Sequence, residues 1–464
     1  MRPTFHRQRG AVAIMVAIAM LVLLGVVGLT IDAGLAYLIK ARLNAAVDSA
    51  ALAGARAVTT GNTQTEQIAS ARAAAADFFT ANIPTNYLLS APRILSTNVT
   101  FKGGQAIIDV EADAKMPVSI MQVMGFASLT PVAAAQTIRN DLDMALVIDT
   151  SGSLENSASV VRASAKSFLS KFNVTQDRVA LVHFASGAET DVPITPTARG
   201  FNRTTMNTKI DAFTFADGTA SVEGMWNARE QLNLVPLANR STMRVIVFFS
   251  DGAPSAFGSY MAFTNAADCK DTLGRDIAGT MDSAGATWGL SKLDDSQFNI
   301  VKENCRIYRN NAYAARRLPD WYNAHNDPKN PNDPARREFK LVTATGPRTV
   351  VSDISGGTGT ASSAVYRGNV ERASRNLAEA IASSARDQGI VVFTLGMGAK
   401  LKTAGDYDPD TGEMILKCMA NSVDAPKRCQ NANQPVGMYC YAATDADLTP
   451  CFSRLASAIL RISK

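Results

Sequence analysis

Histidine is scarce in this chain: His6, His183 and His325 are the only three among 464 residues. A Ser/His/Asp hydrolase has little to draw on, and no spacing in the sequence supports that arrangement. His183 lies inside the apolar run RVALVHFA, where a hydrogen-bonded core histidine is expected rather than a catalytic base. The six cysteines contain no CxxC pair, which removes the usual support for zinc or thioredoxin-like chemistry. The Gly-rich SGGTGT at 355–360 lacks the lysine that a phosphate-binding loop needs. Charged residues make up 19% and the net charge is +5, with no basic cluster beyond the N-terminus, so nucleic acid is not an expected partner. These absences argue against an enzyme. At 47% hydrophobic residues the composition is that of folded globular domains, long enough here for two or three.

One long stretch lacks charge altogether. Residues Ala11 to Ile31 read AVAIMVAIAMLVLLGVVGLTI, and at ~1.5 Å per residue a helix of this length matches a hydrocarbon core of ~30 Å. Arg2, Arg7 and Arg9 precede it and Asp32 closes it. The positive-inside bias then keeps the N-terminus in the cytoplasm and places the bulk of the chain outside, as for a single-pass inner-membrane protein. An apolar run of ~7–15 residues would suit a cleaved signal better, so an uncleaved anchor is expected.

Beyond Asp32 the helical pattern continues through Leu35, Ile39, Leu43, Ala46, Ala50 and Ala53 as a stalk. Thr63 with Glu66 suggests a capping box for a second Ala-rich helix ending near Asn82 and Pro84. NVTFKGGQAIIDVE, from Asn98 to Glu111, alternates about Gly103-Gly104 and reads as a β-hairpin. RQRGAVAI before the apolar run, and IDAGLAYLIKARLNAAVDSAALAGA after it, resemble the N-terminal segment of Tad (Flp pilus) assembly proteins of the TadE/TadG type. Asp48 to Ala55 is the most specific part, and the later MQVMGFASLTPVAAAQTI fits the same family. Prepilin-like members are cut after a glycine and carry a glutamate five residues on. Met15 occupies that place after Gly10, so the resemblance implies a permanently anchored, TadG-like role.

From Asp141 the pattern changes to short apolar runs alternating with helices. Met144–Ile148, Arg178–Phe184, Met243–Phe249, Ile390–Leu395 and Met438–Tyr441 have strand length. Helical patterns lie at about 157–172, 220–234, 369–387 and 450–463. The expected fold is a doubly wound, Rossmann-like α/β domain, in which binding groups gather just after the strands. Asp149-Thr150-Ser151-Gly152-Ser153 follows the first run, Asp217-Gly218-Thr219 opens a helix, and Ser250-Asp251-Gly252 follows Met243–Phe249. An all-oxygen set of two carboxylates and three hydroxyls suits Mg²⁺, with Mn²⁺ or Ca²⁺ as alternatives. This DxSxS motif, with Thr219 and Asp251 in order downstream, resembles the metal-ion-dependent adhesion site of von Willebrand factor A domains. The resemblance implies five ligand positions, Asp149, Ser151, Ser153, Thr219 and Asp251, and a partner protein whose carboxylate completes the metal's coordination.

The expected organisation is therefore an anchor over 1–33, a stalk and small α+β region over 34–140, and a von Willebrand factor A-type domain over 141–464 with an insertion at about 255–366. Its expected work is metal-dependent recognition, in adhesion or assembly, among Flp pilus components. The alternative is a structural organiser whose metal only stiffens loops. The insertion far exceeds the usual ~2–6 residue connection and leaves the metal-bearing edge, so it is expected to border the site as a surface flap, removable without loss of metal binding. DYDPDTGE at 406–413 has calcium-loop spacing for three aspartates but lacks the glycine and the twelfth-position acid, and reads as a turn. Outside the cytoplasm the cysteines should be oxidised. Cys269 and Cys305 share the insertion; the other four allow three connectivities, of which proximity favours Cys418–Cys429 and Cys440–Cys451.

Overall fold

A computed structural model describes residues 11–58, 60, 64–102, 105–215, 218–264, 267, 269–283, 290–302, 305, 315–354, 363–405 and 407–462. The arginines and His6 of the N-terminus, Thr63, Gly103-Gly104, Asp217, Trp288, the 355–360 glycine run and Asp406 lie outside the described residues. The chain divides into two compact units, residues 1–140 and 141–463.

The first unit is built on helix α1, Ala11–Ala57, which is long and apolar enough over its first half to cross a membrane. Its first turns are exposed, whereas Ile39, Leu43, Ala46, Val47 and Ala50 are fully buried, because the apolar face of the second half meets the rest of the unit. Helix α2, Gln64–Asn82, packs Ala71, Ala75 and Phe79 against that face. Strands β1, Ala91–Lys102, and β2, Gln105–Pro117, pair antiparallel from Ala91↔Lys115 to Lys102↔Gln105. The short β3, Ser128–Leu129, and then β4, Val132–Asn140, both pair with β2. One face of this sheet, Ala106, Ile108, Val110, Ala112 and Ala114, closes the core; its small side chains let α1 approach closely.

The second unit is a doubly wound α/β domain. In chain order its sheet strands are β5 (Leu142–Asp149), β6 (Arg178–Phe184), β7 (Ala188–Val192) and β8 (Met243–Ser250). A small hairpin, β9 (Ala256–Tyr260) with β10 (Ala278–Asp282), follows, and β11 (Val391–Met397) and β12 (Tyr439–Ala442) complete the main sheet. The spatial order is β12-β11-β8-β5-β6-β7, parallel except for β7, which turns back on β6. β5 and β8 are buried along their whole length, as expected of central strands covered on both faces. Helices α3 (Ala158–Leu169), α4 (Arg203–Asp211) and α8 (Asp445–Ile462) cover one face; α5 (Ser221–Asn233), α6 (Ser363–Asp387) and α7 (Gly412–Ala420) cover the other.

Two sequence expectations need correction. Helix α8 begins at Asp445 rather than near 450, because Thr444 N and Oγ1 both donate to Asp447 Oδ2 and fix the first turn ahead of Pro450. The insertion is more than a surface flap: Phe257, Met281, Leu290, Leu318, Tyr322, Phe339 and Leu341 are buried in the same core as Ile246 and Phe248. Cutting it away would uncover that core. The three disulfides are Cys269–Cys305, Cys418–Cys429 and Cys440–Cys451.

Candidate metal centre

Strand order reverses between β5 and β8: from β5 the chain moves outward through β6 and β7, then returns to place β8 on the other side of β5. A crevice opens at such a switch point, at the carboxyl ends of the strands. Asp149 ends β5 and is fully buried; Asp251 follows β8 and is 8% exposed.

The loop after β5 turns its hydroxyls toward the second carboxylate. Ser153 Oγ donates to Asp251 Oδ1 at 2.9 Å, Ser151 Oγ to the same oxygen at 3.4 Å, and the two hydroxyl oxygens are 3.3 Å apart. Asp149 Oδ1 accepts from Ser151 N at 2.8 Å and fixes the loop, while Asp149 Oδ2 accepts from Ser250 Oγ at 2.5 Å. Burial, and then the neighbouring Asp251 charge, push Asp149 up to about 7. Burial likewise raises Asp251, offset by the Ser153 hydroxyl and the Lys400 charge. Two desolvated carboxylates therefore share one site in which burial outweighs the hydrogen-bond donors, the electrostatic condition a divalent cation relieves.

Thr219 comes from the turn before α5. Gly218 holds φ +98°, and a Cβ there would lie 2.9 Å from Ser186 Cα, so both the backbone angle and the space call for glycine. Ala220 N donates to Ala185 O at 2.8 Å, tying this turn to the end of β6. A Cβ added to Gly252 would stand 3.9 Å from Thr219 Oγ1, which places the threonine beside the Asp251 loop. Four of the five expected ligands form one hydrogen-bonded group, and Thr219 shares a cavity of about 640 Å³ with Ser151 and Ser153. The donors are all oxygens on two carboxylates and three hydroxyls, which fit a hard divalent cation.

The far wall of that cavity escaped sequence reasoning. Thr280 and Asp282 of the insertion line it, as do Arg367 of α6 and Lys400. Lys400 lies in a 3₁₀ turn, Ala399–Lys402, just after β11, at the strand-end position where binding groups gather. No spacing linked it to Asp149 in advance. Ser250, which holds Asp149, was also missed, although it adjoins Asp251.

The remaining candidates are occupied elsewhere. His183 is buried, its Nδ1 is 2.6 Å from Asp191 Oδ2, and its ring stacks on Phe213 at 4.4 Å. His325 stacks on Trp226 at 4.7 Å, with Nε2 2.7 Å from Glu223 Oε2. In the 406–413 segment, Asp408 pairs with Arg348 and Arg375, and Asp410 with Arg348 and Arg428. Arginines, rather than space for calcium, surround these carboxylates.

Comparison with known proteins fits this geometry. Residues 144–253 match the family described as von Willebrand factor type A domain. Residues 10–57 match the Flp pilus-assembly TadE/G-like family. The chain thus joins a TadE/G-like N-terminal segment to a von Willebrand factor A domain of mixed α/β class. Among solved structures it is similar to the pilus adhesin SpaC from Lactobacillus rhamnosus GG, at 14% identity and TM-score 0.38, over 80% of this chain and 35% of that one. It is also similar to the vWF domain of the type V pili tip protein Mfa5 from Porphyromonas gingivalis, at 16% identity and TM-score 0.37, over 71% of this chain and 98% of that one. A third is proximal thread matrix protein 1 from the mussel byssus with a zinc-occupied MIDAS motif, at 13% identity and TM-score 0.33, over 69% and 46%. The chain thus spans about a third of the SpaC chain's length. A search of curated proteins found no match.

Proposed function

We propose that this protein is a membrane-anchored, metal-dependent protein-recognition module of a Tad/Flp-type pilus system, and not an enzyme. The observation that carries the reading is the convergence of Asp149, Asp251, Ser151, Ser153 and Thr219 at the strand switch point, on an open cavity. Asp149, Ser151, Ser153, Thr219 and Asp251 would hold a Mg²⁺, which would supply positive charge to the site and a coordination position for a carboxylate of another protein. The chain's own residues hold and bias that site. Asp149 is fixed by Ser250 and Ser151, and Lys400 and Arg367 add cationic character to the far wall, which suits an acidic partner segment. His183 and His325 are engaged away from the cavity, which supports binding rather than turnover. The anchor reading rests on α1, on the arginines before it, and on three disulfides that suit an extracytoplasmic compartment such as the periplasm. Residues 34–140 then serve as the stalk region and 141–464 as the recognition domain.

Pull-down of envelope proteins with the domain, with and without chelator at a temperature where it stays folded, tests the reading. Mg²⁺-dependent capture of a pilus component, lost in Asp251→Ala, is expected. Capture indifferent to chelator would favour a structural organiser instead.

A further inference from the structure

Gly28 is a buried position in a helical segment whose neighbours are exposed. A Cβ added there would meet Ile120 Cγ2 at 2.6 Å, so Ile120 packs directly on the helix axis. One turn further along the same face, Asp32 is fully buried, and its carboxylate accepts from the backbone N–H groups of Ser119 at 3.0 Å, Ile120 at 3.1 Å and Met121 at 2.9 Å. The only acid near the apolar run is thus paired entirely within the unit, and the same contact clamps the 118–126 loop to α1.

The depth of this clamp matters. Gly28 lies ~5 Å inside the uncharged run that ends at Ile31, and that run is just long enough to fill a hydrocarbon core of ~30 Å. A loop packed at Gly28 reaches the headgroup region of any bilayer that α1 crosses. Its composition agrees: from Met116 to Ile138 the sequence contains no charged residue, and Phe126 is 49% exposed. A second loop ends at the same edge of the sheet, because Ala91 pairs with Lys115 and Leu88-Leu89 lie just beyond Ala91. Leu88 and Leu89 are 40% and 80% exposed and hold φ +48° and +61°, a conformation unusual for leucine and one that keeps the pair outward.

We infer that these two loops, through Leu88, Leu89, Ile120 and Phe126, sit in the interfacial layer of the same bilayer and seat the TadE/G-like unit on the membrane surface. The occupant is lipid, because the patch is continuous with the apolar helix at a depth that lipid occupies. This inference rests on the anchor reading above. The Asp32 carboxylate is satisfied by three backbone donors, and the exposed Lys115 beside Ala91 has a stem long enough to carry its charge toward the headgroups.

The test uses the full chain in liposomes carrying one spin label at Leu21→Cys, Leu89→Cys, Phe126→Cys or Thr100→Cys. The last reports on the other end of the β1–β2 hairpin, and all four side chains are exposed enough to be replaced without disturbing the core. Collision with oxygen reports lipid, and collision with a soluble nickel complex reports water. Labels at 89 and 126 are expected to show oxygen-to-nickel ratios closer to that of 21 than to that of 100. If 21 is lipid-exposed while 89 and 126 behave like 100, the anchor stands and the seating is overturned. Shielding of 89 and 126 from both reagents would mean that a protein covers them, which overturns lipid as occupant. A water-exposed label at 21 removes the anchor reading and this inference together.

Discussion

Ser153 Oγ donates to Asp251 Oδ1 at 2.9 Å across a sequence separation of 98 residues. The bond joins the loops after two central strands, and with Asp149 behind it the arrangement stores like charge in a buried place. A cation that binds only the folded domain adds RT ln(1 + [L]/Kd), ~2.7 kcal/mol at a hundredfold excess over Kd. Mg²⁺ is therefore expected to raise the melting temperature of the wild type, and Asp149→Ala or Asp251→Ala to abolish the rise. Asp149→Asn removes a buried charge while keeping the shape, so its metal-free melt should equal or exceed that of the wild type while losing the response to Mg²⁺. Scanning calorimetry with and without Mg²⁺ decides. A wild type indifferent to the ion removes the site.

Asp408 offers a contrast. It is buried 4% exposed between Arg348 and Arg375, each with side-chain exposure of 2%. Burial alone would raise its pKa, but the Asp410 N–H and the two guanidinium groups outweigh burial and hold it below the usual carboxylate range. A depressed folded pKa contributes stability that is present above the unfolded value of ~3.9 and lost as pH falls through the folded value. The domain should thus weaken below about pH 4, and Asp408→Asn should flatten that acid limb. Breaking such a buried pair costs ~3–5 kcal/mol at neutral pH. Urea titrations at pH 3, 5 and 7 check both statements, and an unchanged acid limb in the variant would mean that the pairing does not contribute.

The disulfides make a third prediction. Cys440–Cys451 ties the edge strand β12 to α8, and Cys418–Cys429 ties the end of α7 to the following turn, each with a sequence separation of 11. Closing loops of that size restricts the unfolded chain by ~3 kcal/mol each, and the wider Cys269–Cys305 loop by ~4 kcal/mol. Protein purified from the cell envelope without reductant should bind no alkylating agent until reduced, and reduction should lower its melting point. Six alkylated thiols in the unreduced sample would place the domain in the cytoplasm and reverse the topology proposed for α1.

The legible parts of this chain were those where chemistry follows local pattern. Asp149, Ser151, Ser153 and Asp251 stood out because strand-length apolar runs precede them, and strand ends are where a doubly wound sheet opens. The charge-free run before Asp32 was readable for a similar reason. Lys400 was not, because its place opposite Asp251 depends on the packing of β11 beside β8. Nor was β4, whose central alanine run, Ala133 to Ala135, has low strand propensity and forms a strand through its register with β2. The insertion misled most: its buried residues are spread through irregular backbone with no period, so only the folded structure shows that they share a core.

A buried polar joint in that core carries the last prediction. Glu223, in the first turn of α5 and four residues past Thr219, is 1% exposed. It accepts from Gly258 N at 2.7 Å and Tyr322 OH at 2.9 Å, and its Oε2 is 2.7 Å from His325 Nε2. All three partners belong to the insertion, so this carboxylate ties the insertion to the helix that carries the Thr219 turn. Removing it leaves a buried N–H and a buried hydroxyl unpaired, at ~1–3 kcal/mol each. Glu223→Ala should therefore destabilise the domain by several kcal/mol in urea, with earlier tryptic cleavage in the insertion than elsewhere. Tyr322→Phe, which removes one donor and leaves the ring packed against Trp226, should cost less, about 1 kcal/mol. Because neither change touches Asp149 or Asp251, both variants should keep the Mg²⁺-dependent rise in melting temperature. If Glu223→Ala loses that rise while staying folded, the insertion does more than wall the cavity: through α5 it sets the geometry of the metal loops themselves.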